Sequence, residues 1–246
     1  MRIRAGIAVA AAALAVAATP ASAATPRVDV MVVGKSSVLL APTTVPARAT
    51  RVKVGRRSCA VAAGTPLGAL AAARRAGGPP YHVRDFGSCS RRTADAGGLF
   101  VDRIGTERNA GSNGWVYKVG RKAGTTSAAD PSGPFGTGHR LRSRQQVLWY
   151  WCTLGAGDRC PPTLSIALDA SRVAPSAPVR ATVIAYDDDG HGTLAAGAMI
   201  ALGGVTATAG PDGSATVAAP AGPGSYDVTA TAPGAVSGFP AKVEVA

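Results

Sequence analysis

The groups in this 246-residue chain that carry chemistry are three histidines, four cysteines and 14 carboxylates. Their spacing argues against catalysis. His82, His139 and His191 are scattered, and none stands at metal-ligand spacing from a cysteine. No G-x-S-x-G, H-E-x-x-H or C-x-x-C pattern occurs. Asp85 and Asp95, with Arg84, Arg91 and Arg92 nearby, come nearest to an acid–base set, but solvated loops around a disulfide explain them more simply. Asp187-Asp188-Asp189-Gly190 is the densest anionic run. Calcium takes oxygen ligands from such loops, yet the D-x-D-x-D-G spacing is not met and a solvated turn is the simpler reading. The expectation is a non-catalytic protein without metal or cofactor.

Binding is better represented than catalysis. Nine of the twelve aromatic residues lie between Tyr81 and Trp151. In a strand, Trp115, Tyr117 and Val119 share one face, and Trp149 and Trp151 share another with Tyr150 opposite. Any ring left exposed would stack on a sugar or a planar ligand; rings turned inward would be core. Between the two strands runs a long loop, Gly120–Gly138, with Phe135 near its tip. Arg121 and Lys122 stand at its base and His139, Arg140 and Arg142 at its exit. Loops this long in a compact domain are often functional. The candidate ligand set is therefore Trp115, Tyr117, Arg121, Lys122, Phe135, His139, Arg140, Arg142, Trp149 and Trp151.

The start of the chain reads as an export signal over residues 1–23. Arg2 and Arg4 precede an apolar run from Ile7 to Ala18, and Ala21-Ser22-Ala23 is a cleavage site that makes Ala24 the first mature residue. No later run is long and apolar enough to predict a transmembrane segment. Four cysteines in an exported chain read as two disulfides. Four allow three pairings. Cys152 and Cys160 bracket a short Gly-rich loop that closes easily, which leaves Cys59 with Cys89.

These groups must be positioned by a particular set of elements. Val28–Gly34 and the stretch after Ser36 predict a hairpin, and Arg51–Val54 a short strand. Thr65-Pro66 is a helix start, with Thr at the N-cap and Pro in the first turn; Gly77-Gly78-Pro79-Pro80 stops the helix. Tyr81–Phe86, Leu99–Ile104, Trp115–Val119 and Gln146–Trp151 predict further strands. From Pro161 the composition changes to short β-rich runs separated by Gly, Pro and Asp turns, without a helix signal. Two units follow: an α+β domain with one helix over 24–160, and an all-β sandwich over 161–246, each expected to fold alone.

Gly114, Trp115, Tyr117, Val119, Gly120, Val147, Trp149 and Trp151 reproduce a W-x-Y-x-V…G…V-x-W-x-Y pattern. On these residues the stretch 28–151 resembles the DUF4430, or transcobalamin-C-like, family. The resemblance implies a β-grasp sheet wrapped on the helix. It departs from the family where Gly120-Arg121 replaces Asn-Gly and Trp151 replaces the final Tyr. Gly197, Ala198, Asp212-Gly213, Gly224, Tyr226, Val228, Ala230 and Gly234 resemble the carboxypeptidase-regulatory-like and Ig-like repeats of bacterial secreted proteins, here in one copy.

Charge separates the two units. Residues 24–160 hold 21 Lys+Arg against 7 Asp+Glu, and residues 161–246 hold 3 against 7. Either the first unit meets an anionic partner, or the excess reflects a general bias towards Arg. The reading taken is a secreted binding or adhesion protein of the bacterial cell envelope, its basic unit contacting an anionic cell-wall polymer or glycan and no nucleic acid. The alternative is an extracellular carrier of a small planar ligand such as a corrinoid, as the family resemblance suggests.

Overall fold

The computed structural model describes residues 25–246; the predicted signal segment and the cleavage site before Ala24 lie outside the described residues. The first unit contains strands β1 (Arg27–Val33), β2 (Val38–Pro46), β3 (Thr50–Val54) and β4 (Arg57–Val61), then helix α1 (Pro66–Arg75). Strands β5 (Tyr81–Asp85), β6 (Leu99–Ile104), β7 (Glu107–Arg108), β8 (Gly114–Val119), β9 (Lys122–Ala123) and β10 (Gln146–Cys152) follow. The second unit is all β: β11 (Thr163–Leu168), β12 (Arg172–Val173), β13 (Pro178–Tyr186), β14 (Gly192–Leu194), β15 (Met199–Leu202), β16 (Val205–Thr208), β17 (Ser214–Ala218), β18 (Gly224–Thr231) and β19 (Ala241–Val245). The expected boundary at Cys160/Pro161 falls between β10 and β11.

Helix α1 forms where its signals stand. Thr65 Oγ1 accepts the Gly68 N–H at 3.2 Å, and Pro66 sits where its missing donor costs nothing. Gly77, at φ +97°, turns the chain out, and the Gly78 N–H returns to the Ala73 carbonyl at 2.9 Å. The helix is buried over Pro66–Ala73.

The main sheet of the first unit runs β2-β1-β10-β8-β9, with β1 and β10 parallel at its centre. Period-two alternation divides its side chains. Val28, Val30, Val32, Trp115, Tyr117, Val147, Trp149 and Trp151 join the core that includes α1. Met31, Val33, Leu148, Tyr150 and Cys152 face the other way, against Val236 and Phe239 of the second unit. The run Val-Met-Val-Val at the end of β1 is apolar without interruption because both faces are covered. The expectation of strands wrapped in one sheet is met only in part: β3–β4 stand as a separate hairpin and β5-β6-β7 as a separate three-stranded sheet. In the second unit two sheets, β11-β13-β14 with β17 on β13 and β12-β19-β18-β15-β16, enclose a core of Val179, Val183, Ile200, Leu202, Val228 and Val243. It is a β-sandwich.

Both disulfides are present as read, Cys59–Cys89 and Cys152–Cys160. Among the described residues no helix is long and apolar enough to cross a membrane.

Two tyrosines record the burial of this sheet. Burial, against a hydrogen bond to Thr126 that lowers it, pushes the Tyr117 phenol up to about 12. Burial and the neighbouring Asp188 carboxylate raise Tyr150 further. A raised folded value means stability that is intact below the ordinary 10.0 and is lost as pH rises through the folded value. In an alkaline titration Tyr117 and Tyr150 are therefore expected to ionise well above 10.0, with their ionisation favouring the unfolded chain. Tyrosinate absorbance and circular dichroism should change together above pH 10. Complete ionisation of all five tyrosines near pH 10 with the dichroism intact would refute this packing.

Candidate functional site

The structure disperses the ten predicted ligand residues. Trp115, Tyr117, Trp149 and Trp151 are at most 7% exposed and belong to the core beneath α1. Trp115 packs edge-on to Trp151 with ring centroids 5.8 Å apart, and Tyr117 tilts against Trp149 at 5.4 Å. They do not form the exposed stacking platform considered above. The reason is composition: a domain of small Ala and Val side chains needs its large rings to fill the space under the helix. Trp151 does line a cleft of about 740 Å³ between the β1–β2 turn and residues 231–237. There the Lys35 ammonium already covers its ring at 4.2 Å.

The Gly-rich loop is structural along most of its length. Tyr117 Oη donates to the Thr126 carbonyl at 2.9 Å, and the Thr125 N–H donates to the Pro134 carbonyl at 2.9 Å. The Ala128 carbonyl accepts the Leu67 N–H at the start of α1, and Ala128 and Ala129 enter the core. Phe135 is half-buried against that core rather than projecting. Nor do the flanking cations form one rim. Arg121 is drawn over the Tyr186 ring of the second unit at 4.6 Å. Arg140, on the helix side of the sheet beside Gly64, donates through Nε to the Pro131 carbonyl at 2.8 Å. Lys122, His139 and Arg142 are exposed.

A denser cationic surface lies elsewhere. The β3–β4 hairpin carries Arg51, Lys53, Arg56 and Arg57, all exposed, in seven residues without an acid. The Cys59–Cys89 disulfide and the Ala60 N–H, which donates to the Ser90 carbonyl at 2.8 Å, bring exposed Arg91 and Arg92 beside this hairpin. Arg75 reaches it from the end of α1, donating to Thr50 Oγ1 at 3.1 Å. Arg57 pairs with Asp85 at 3.0 Å. Of the 21 Lys and Arg between residues 24 and 160, only Arg57, Arg84 and Lys118 are within ion-pair distance of a carboxylate among the described residues. The sequence signal for this patch is charge: RVKVGRR, of which Arg51–Val54 also reads as a strand, and CSRR, whose arginines also flank Asp85 and Asp95, joined across the disulfide.

Asp102, 3% exposed on β6, accepts from Arg84 Nε at 2.8 Å and contacts His82 Nδ1 at 2.5 Å. Burial alone would raise its carboxyl; the hydrogen bonds and charges of His82 and Arg84 outweigh burial and hold it below the ordinary carboxylate value. Asp187, Asp189 and His191 bring one ligand atom each within 4.8 Å of one another. Asp187 is engaged by its own loop, accepting the Asp189 and His191 N–H groups through Oδ1.

No protein-family model matches the chain, and no curated protein matches it. Among solved structures it shows a likeness to one described as "D00-D0 domain of Intimin", at 15% identity and a TM-score of 0.27, covering 68% of this chain and 78% of that one.

Proposed function

We propose that the protein is an extracellular, non-catalytic binding module whose first unit holds an anionic cell-wall polymer on the β3–β4 hairpin. The observation that carries the reading is the cluster Arg51, Lys53, Arg56, Arg91 and Arg92, exposed and without carboxylate partners among the described residues. Unpaired cations on a rigid, disulfide-linked surface attract a polyanion over a Debye length of about 8–10 Å at ordinary salt. The signal-like start and the two disulfides support export. The parallel β1/β10 pair with α1 across the sheet supports a β-grasp of the transcobalamin-C-like kind, and the sandwich supports an Ig-like second unit.

The expected result is that the full chain sediments with teichoic-acid-bearing walls at low salt and is released by high salt. Replacing Arg51, Lys53 and Arg56 together by Gln should weaken retention about tenfold, since three exposed contacts contribute a few tenths to 1 kcal/mol each. Replacing Arg121, Lys122, Arg140 and Arg142 together should do less, because they lie apart. Retention indifferent to salt, or equal in both variants, sinks the electrostatic reading.

A further inference from the structure

A second candidate site lies between the β5-β6-β7 sheet and the outer edge of β8. Strand β9 pairs with β8 only at Lys118 and Val119, so the segment Gly114–Tyr117, paired with β10 on one edge, has no strand on its outer edge among the described residues. Two clefts, of about 380 and 330 Å³, flank that segment and share the walls Phe100, Trp115, Val116 and Cys160. Two features there are unusual for a closed surface. Phe86 and Phe100 are 75% and 45% exposed and meet edge to face with centroids 6.1 Å apart at the outer cleft. In the inner cleft, Trp149 lines the wall, is 2% exposed, and its indole Nε1 has no hydrogen-bond partner. A buried donor left unpaired is destabilising, so a partner brought by a ligand recovers that cost. At the outer cleft Arg84 uses Nε on Asp102, and its terminal nitrogens have no partner among the described residues.

We infer that this cleft binds a small planar aromatic acid. The ring system enters the inner cleft along Phe100, an acceptor atom takes the Trp149 indole N–H, and the anionic group lies towards Arg84. Size sets the ring count: an apolar cavity of about 150 Å³ holds benzene, so about 330 Å³ suits two fused rings. Aromatic walls with a few convergent polar groups are the ordinary make-up of a small-molecule site. The inference does not rest on the polymer reading, which concerns a different surface.

The test uses the full chain and 1-naphthoate, with uncharged 1-naphthalenemethanol as comparison. Titration is followed by tryptophan fluorescence and by the three indole N–H resonances in a nitrogen–proton correlation spectrum, Trp149 being assigned with Trp149→Phe. The expected result is saturable binding of naphthoate with the Trp149 resonance shifting most. Phe100→Ala should weaken it about tenfold and Arg84→Gln about fivefold. Phe86→Ala, at the most exposed position, gives a second variant whose fold is not in question. Binding that never saturates, a Trp149 resonance that stays in place, or unchanged affinity in both phenylalanine variants overturns the site. Equal affinity for the uncharged alcohol overturns the role given to Arg84.

Discussion

Lys118→Ala is expected to destabilise the full chain by about 3–5 kcal/mol, the range for removing one partner from a buried ionic network. Lys118 is fully buried on β8, on the sheet face turned away from α1. Its ammonium donates to the Tyr186 carbonyl at 2.8 Å, the Asp187 carbonyl at 2.7 Å and Thr163 Oγ1 at 3.2 Å, and the Asp188 carboxylate lies at 3.6 Å. All of these belong to the second unit, so one side chain of the first supplies donors to several of its acceptors. Alanine leaves these acceptors without the ammonium and a void beside Tyr150. Lys118→Met fills the void and should cost less. Urea denaturation of the two variants measures both, and a loss below 1 kcal/mol for alanine would show that the units merely touch. The same contact bears on the expectation that each unit folds alone. A first unit cut at residue 160 exposes Met31, Leu148 and Tyr150, and leaves Lys118 without its acceptors.

The pH dependence gives an independent check. Burial lowers the Lys118 pKa, against the raising pull of Asp188 and then Asp187. The folded protein therefore releases this proton before the unfolded chain does. Between the lowered folded value and the ordinary 10.5, the unfolded state binds more protons, so this group's contribution rises with pH. The stability difference between the native chain and Lys118→Met should widen across that window. Tyr117 and Tyr150 act in the opposite sense above pH 10 but are common to both proteins.

Lys118 also shows where reading the chain stops. In Trp-Val-Tyr-Lys-Val the alternation puts Trp115 and Tyr117 on one face and Val116 and Lys118 on the other, and the structure keeps that division. Alternation cannot say that the polar face is covered by a chain segment some 45 to 70 residues away. The helix and its caps were legible because Thr65, Pro66 and Gly77 act locally. Both disulfides were legible because the short 152–160 loop left a single pairing for Cys59 and Cys89. The candidate site was not. Large rings in an Ala-rich domain satisfy the core first, so Trp115, Trp149 and Trp151 mark packing. Exposure fell instead to Phe100 on β6 and Phe86 just beyond β5, and these two strands pair in a small separate sheet that no local pattern distinguishes from the main one.

Removing the Cys59–Cys89 link by Cys59→Ala with Cys89→Ala is expected to cost about 3–4 kcal/mol, the chain-entropy value for a closed loop of about 30 residues. In a chain of this size that lowers the melting temperature by roughly 6–16 °C. The Cys152–Cys160 link closes a loop of only 8 residues in sequence and should cost about 1 kcal/mol less. The larger effect is local as well as global. Cys59 and Cys89 are both buried in the main core, and their bond ties the Arg91–Arg92 loop to the hairpin that carries Arg51, Lys53 and Arg56. Without it those cations are held together by non-covalent contacts such as the Ala60–Ser90 hydrogen bond and the Arg57–Asp85 pair, and a polyanion must order them further on binding. Retention on walls should therefore fall in the Cys59/Cys89 variant at temperatures where its circular dichroism is still native, while the Cys152/Cys160 variant, whose link lies at the far end of β10, keeps it. Equal retention by the two variants below their melting points would separate the disulfide from the binding surface and leave it a purely stabilising bond.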